Sequence, residues 1–142
     1  MIYNSKSAED TINLGLEFAK ELKTGDIIGL DGELGSGKTQ FVKGIGKYYN
    51  VEDIINSPTF ILVNEYEGTN PDNGKSLHIN HFDLYRIEKS FELSVIGFED
   101  YINEDTIVLI EWSKCVEEYL GRKIRKVKFE YGEEQNERVI EF

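Results

Sequence analysis

A three-layer α/β fold with a mixed central sheet is what this sequence predicts. Short apolar, strand-like runs alternate with helix-period segments through the first half. In the second half, strand-like runs flank the turn-rich stretches EGTNPDNGK and GEEQNE, which is the pattern of hairpins. One run, Thr106-Ile107-Val108-Leu109-Ile110, is continuous and β-branched, as a strand covered on both faces tends to be. Interleaved helices imply parallel pairing and hairpins imply antiparallel pairing, so the sheet is expected to be mixed.

The elements follow in order. Residues 8–23 read as a helix: Ser7 and Asp10 resemble a capping box with Asp in place of Glu, and Ile12, Leu16, Ala19 and Leu22 keep the helical period up to the break at Gly25. Ile27 to Leu30 is a buried-type strand. A helix is expected from Lys38 to about Tyr49, weakened by Gly44 and Gly46. Ser57-Pro58-Thr59 reads as a loop before a strand at 60–66, with a return strand at about 77–83. Residues 91–102 read as a short helix interrupted at Gly97. Residues 113–120 form another short helix, and the chain closes with a strand through Val127, Phe129 and Tyr131 and a last one at 138–142.

The length of 142 residues suits one domain spanning 1–142, large enough for an ordinary core. Hydrophobic residues make up 39% and charged residues 30%, a balance that excludes disordered and fibrous classes. The net charge of −11 disfavours non-specific adhesion to nucleic acid or anionic membrane and favours a nucleotide or protein partner. The single cysteine, Cys115, excludes a disulfide framework and multi-cysteine metal sites. No apolar run approaches the roughly 20 residues that span a bilayer, and MIYNSKSAED lacks the layout of a signal peptide. A cytoplasmic protein with no membrane partner is expected.

Six of the thirteen glycines fall between Gly29 and Gly46. Within that span, Gly32-Glu33-Leu34-Gly35-Ser36-Gly37-Lys38-Thr39 fits the phosphate-loop pattern G-x-x-x-x-G-K-[ST] at every defined position, with an apolar strand before it and a helix after it. The glycines let the backbone turn so that the amides of Gly35, Ser36, Gly37 and Lys38 converge on an anion. The helix start adds its positive dipole end. Lys38 supplies a cation near the β and γ phosphates, and the Thr39 hydroxyl is a magnesium ligand. The expected ligands are therefore a nucleotide and Mg2+ on a P-loop NTPase-like fold.

Magnesium usually takes one or two carboxylates. Glu111 directly follows the most apolar strand and is the better metal-side candidate. Asp83 ends a more polar strand. It positions water, holds Lys38 or Thr39, or caps the helix that follows. His81 shares a strand face with Asp83, so a His–Asp acid–base pair is one reading and a structural hydrogen bond for His81 is the preferred one. Trp112, beside Glu111, is either core packing or a platform for a base or partner. Arg122, Lys123, Arg125, Lys126 and Lys128 read as a solvated strand face, with a small docking patch for RNA or an acidic partner as the alternative.

Taken together, GELGSGKT, SPTF at 57–60, HFDLYR at 81–86 and IEW at 110–112 in so short a chain resemble the TsaE (YjeE) family. The resemblance extends to Thr11-x-x-Leu14-Gly15 and to ELSVIGFEDY. It implies a small ATPase of bacterial tRNA modification, which supports a TsaB–TsaD pair that places threonylcarbamoyl, made as its adenylate by TsaC, on adenosine 37. It further implies that Lys38 and Thr39 serve phosphates and magnesium, Glu111 is the second metal-side residue, and Asp83 is needed for turnover. Thr59 would belong to a switch-like loop, Trp112 would lie near the nucleotide, and Thr11 would lie near the adenine. Arg138 is a minor candidate for nucleotide contact. Glu33 and Ser36 depart from the more usual Asp and Ala without removing a needed group.

Two rival functions are compatible with the loop: a small-molecule or nucleoside kinase, and a non-hydrolysing nucleotide sensor. A kinase lid is usually rich in arginine, whereas this chain has only Arg86, Arg122, Arg125 and Arg138, widely scattered. No arginine declares itself as a finger, Arg86 being the nearest, and a finger supplied by a partner is worth about 10³–10⁵ in rate. Slow hydrolysis in isolation and stimulation by the partner pair are therefore expected.

Overall fold

A computed structural model describes residues 1–58 and 62–142. Among the described residues, seven strands form one mixed sheet: β1 (Ile2–Ser5), β2 (Ile27–Asp31), β3 (Val63–Thr69), β4 (Ser76–Asp83), β5 (Thr106–Glu111), β6 (Arg125–Tyr131) and β7 (Arg138–Glu141). Their order across the sheet is β1-β7-β6-β2-β5-β4-β3. The central ladders β6–β2, β2–β5 and β5–β4 are parallel. The flanking pairs β1–β7, β7–β6 and β4–β3 are antiparallel.

Successive side chains on a strand face opposite ways, and the core divides accordingly. Ile28, Leu30, Ile107, Leu109, Val127 and Phe129 pack with Phe18, Phe41 and Ile45 from helices α1 (Ala8–Ala19) and α2 (Lys38–Tyr48). Ile27, Val108, Ile110 and Phe82 pack on the other side with Leu93, Phe98, Cys115 and Val116. Those come from α3 (Glu92–Val95), a 3-10 turn at Phe98–Tyr101 and α4 (Lys114–Leu120). Every residue of β5 is buried, as expected for a strand covered on both faces.

The sequence and structure differ at element ends. Helix α1 stops at Ala19 rather than at 23; the chain continues in tight turns, with Leu22 N–H donating to Ala19 O at 3.1 Å. Ser7 Oγ accepts from Asp10 N–H at 3.0 Å, as the box requires, but the short Asp10 carboxylate accepts from Lys6 N–H, one residue before the cap. Strand β3, expected over 60–66, lies at Val63–Thr69 and extends further because its ladder with β4 continues through Glu67↔His78, Gly68↔Leu77 and Thr69↔Ser76; positions 60 and 61 lie outside the described residues. The hairpin loop shrinks to 70–75. Strand β1 was not expected from the sequence. Among the described residues no helix is long and apolar enough to cross a membrane.

Gly44, a weak residue in a helix, is needed for packing. A Cβ there would stand 1.9 Å from Ile12 O and 2.7 Å from Leu16 N, and one at Gly15 would stand 2.0 Å from Phe41 O. Helices α1 and α2 therefore meet backbone to backbone, which fixes the start of α2 relative to Thr11. Gly44→Val is expected to destabilise the fold by about 3 kcal/mol or more, since overpacking against backbone cannot relax by side-chain rotation. Chemical denaturation measures this; a midpoint unchanged from wild type contradicts the account of helix packing.

Candidate functional site: a strand–loop–helix cradle

The cradle begins where β2 ends. Gly35 and Gly37 adopt left-handed backbone, with φ of 79° and 102°, which other residues reach only under strain. A Cβ at Gly32 would come within 2.6 Å of Ser36 Oγ and 2.8 Å of Phe129 O, so the loop lies flat on β6. Gly37 is also the N-cap of α2 and offers no side chain to the first-turn amides. Those amides lack intrahelical acceptors by the geometry of any helix start, and they suit an anion. The Ser36 N–H donates within the loop to Glu33 O at 3.1 Å. The Ser36 side chain is buried, and its Oγ has no partner among the described residues.

Glu111, at the end of β5, lies opposite Leu30 in one ladder and opposite Asp83 in the other. The register thus delivers two carboxylates beside the loop. Lys38 Nζ donates to Gly32 O and lies 3.2 Å from Glu111 Oε1. His81 Nε2 lies 2.7 Å from Glu111 Oε2. Lys38, Glu111 and His81 are all buried, at 7%, 5% and 0% exposure. Burial alone would push the Glu111 carboxyl up. The His81 hydrogen bond and charge and the Lys38 charge outweigh it and hold the carboxyl below its usual range. Asp83 is pushed up by burial and by the charge of Glu111, against the pull of the Tyr85 amide and of Lys38 and His81. A carboxylate so raised is the better proton acceptor of the two.

The cleft above has a volume of about 360 Å³, within the range of small-ligand sites. Thr11, Gly35, Gly37, Lys38, Thr39 and Glu111 line it together, with Arg138 and Asn136 from the opposite side. Trp112 does not line the cleft; it is half-exposed, in a left-handed conformation at φ 60°, with Lys38 Nζ 5.7 Å from its ring centroid and Tyr85 packed edge-on at 5.1 Å. Thr11 Oγ1 lies 2.7 Å from Ser5 Oγ. Thr59 falls outside the described residues.

One sequence reading changes. Asp83 does not begin a helix; its Oδ1 accepts from Tyr85 N–H at 3.1 Å, closing a turn. His81 is hydrogen-bonded to Glu111 rather than paired with Asp83, which agrees with the preferred structural reading. The basic cluster at 122–128 is partly neutralised within the fold: Arg125 meets Glu21 at 2.8 Å and Lys126 meets Glu117 at 2.6 Å. Sequence reasoning missed Tyr131, whose hydroxyl donates to Leu34 O, and the reach of Arg138 Nη2 to Gly35 O at 3.1 Å. Those contacts clamp the loop from across the β6–β7 hairpin.

Could these residues hold a nucleotide and its metal? The uncapped helix start, the left-handed glycines and Lys38 suit phosphate oxygens. Thr39 and Glu111 offer hard oxygen donors, the kind magnesium takes. Among the described residues no group of three or more His, Cys, Asp or Glu side chains is placed to hold a metal.

Fold and site together define an α/β protein with a glycine-rich loop between a strand and a helix, next to a strand-end carboxylate. The chain belongs to the TsaE family: the model described as threonylcarbamoyl adenosine biosynthesis protein TsaE matches residues 5–140. Curated relatives called tRNA threonylcarbamoyladenosine biosynthesis protein TsaE include one from a Nostoc species, 40% identical over 89% of this chain and 75% of its own length. Another, from Rickettsia conorii, is 37% identical over 91% of this chain and 70% of its own. The crystal structure of Bacillus subtilis YdiB superposes with a TM-score of 0.74 at 26% identity, covering 99% of this chain and 82% of that one.

A carboxyl held below its ordinary range stabilises the fold above that range and loses this contribution as pH falls through its folded value. The stability difference between wild type and Glu111→Gln should therefore be present near neutral pH and shrink as the pH falls below the ordinary carboxylate range. Denaturant midpoints across that span check it; a difference independent of pH contradicts the ion-pair assignment.

Proposed function

We propose that this chain is a P-loop NTPase-like domain that binds Mg–ATP, hydrolyses it slowly, and serves threonylcarbamoyladenosine formation by docking on a TsaB–TsaD pair. The observation that carries the proposal is the convergence of Gly35, Gly37, Lys38, Thr39 and Glu111 on one cleft at an uncapped helix start. Membership of the TsaE family supplies the pathway.

Magnesium, when bound, would neutralise charge on the phosphate oxygens. Thr39 and Glu111 are placed to hold it. The loop amides and Lys38 orient the phosphate chain and favour charge that develops on it. Asp83 sits one strand from Glu111 with a raised carboxyl, suited to accept a proton from an attacking water. Thr59 is assigned to the same step by family resemblance. Trp112, whose ring lies near Lys38, suits a flat contact beside the nucleotide, and Thr11 lines the cleft. Arg86 is exposed and outside the cleft, which supports a slow basal rate awaiting a partner. The acidic balance and the internally paired 122–128 cluster favour a protein partner over a broad tRNA footprint.

Asp83→Ala is expected to retain ATP binding and to lose turnover by about 10² or more, the scale of a lost general base. Calorimetry with phosphate-release kinetics, alone and with the TsaB–TsaD pair, checks this. Unchanged turnover would favour the sensor reading; transfer of the γ-phosphate to an acceptor other than water would favour the kinase.

A further inference from the structure

His81 lies under the cleft and lines no part of it. Its ring is fully buried, Nε2 lies 2.7 Å from Glu111 Oε2, and Nδ1 has no partner among the described residues. Leaving a ring nitrogen unsatisfied in the interior is unfavourable, and an apolar side chain would avoid it. The polar contact that accounts for a histidine here is the one with Glu111. Asp83, two residues on, accepts from the Tyr85 amide instead.

The terminal torsion of a glutamate is broad and roughly two-fold, so nothing in the side chain itself fixes the plane of its carboxylate. In Glu111 one oxygen is taken by His81, and the other, Oε1, lies 3.2 Å from Lys38 Nζ at the floor of the cradle. The donor cannot drift. Leu109, its neighbour in register on β5, and the adjacent Phe82 are both fully buried.

We propose that His81 is a positioning residue: by holding Oε2 it presents Oε1 alone to the cradle, and so sets how tightly the site holds a divalent cation together with a nucleotide. This rests on the Mg–nucleotide reading above. A purely packing role for the ring would affect stability and leave the metal-dependent part of binding unchanged. A positioning role affects that part selectively, because the orientation of a carboxylate ligand depends on its outer hydrogen bond.

The test is calorimetric titration with ADP, once with Mg2+ and once with EDTA, on wild type, His81→Leu and His81→Gln. His81→Leu should lose about ten-fold or more of its affinity in Mg2+ while staying within about two-fold in EDTA, the scale set by lost outer-shell partners. His81→Gln, whose side-chain amide can donate near the Nε2 position, should recover most of the loss. Equal losses in both media, or none, overturn the inference. Wild type that fails to bind ADP in Mg2+ overturns the Mg–nucleotide reading and this inference with it; wild type that binds with unaffected variants overturns the inference alone. If His81→Leu does not fold, the wild-type Nε2–H resonance decides. It should stay hydrogen-bonded and slow to exchange when Mg–ADP is added, and its loss on binding would contradict the proposal.

Discussion

Leu30 pairs with Glu111 across the parallel β2–β5 ladder, and the site depends on that register. The loop leaves β2 just after this pair, so the carboxylate ends up beneath the cradle and within reach of Lys38. A slip of one residue would turn Glu111 to the opposite face of the sheet, among Phe82, Val108 and Ile110. The apolar residues of β5 lock the register from both sides. Hydrophobic burial thus fixes the position of a charge, and the charge defines the chemistry of the cleft.

Burying that charge is expensive unless every oxygen is answered. Glu111 is answered twice, by Lys38 at one oxygen and His81 at the other. The same two partners keep Asp83 and Glu111 chemically distinct although they are neighbours in the ladder: Glu111 is held ionised, while Asp83 is pushed towards accepting a proton. Two adjacent strand ends thereby differ in how readily they take up a proton.

The cradle was readable from the sequence because its residues are local: eight consecutive positions, flanked by a strand and a helix, specify a backbone shape. Glu111 was readable because it ends the most apolar run. The contacts that complete the site were not. Tyr131 and Arg138 reach the loop across 97 and 103 residues of sequence, and nothing in a hydroxyl or guanidinium at a hairpin declares such a partner. His81 suggested Asp83 by period two, and only the β4–β5 register shows that Glu111 on the next strand is the nearer acceptor. Strand β1 escaped detection because it is a four-residue edge, largely exposed and without a clear alternation; it forms by pairing with β7. Gly44 weakened the helix prediction locally, but it is required by the tertiary contact with Ile12.

The central claim is that the backbone and lysine at 32–39 grip a polyphosphate tail. Calorimetric titration of the folded wild-type chain with ATP, ADP and adenosine, each with Mg2+, tests it most directly. The account predicts saturable binding of ATP and ADP and none of adenosine. Absence of heat with ATP, or adenosine binding as tightly as ATP, would contradict it.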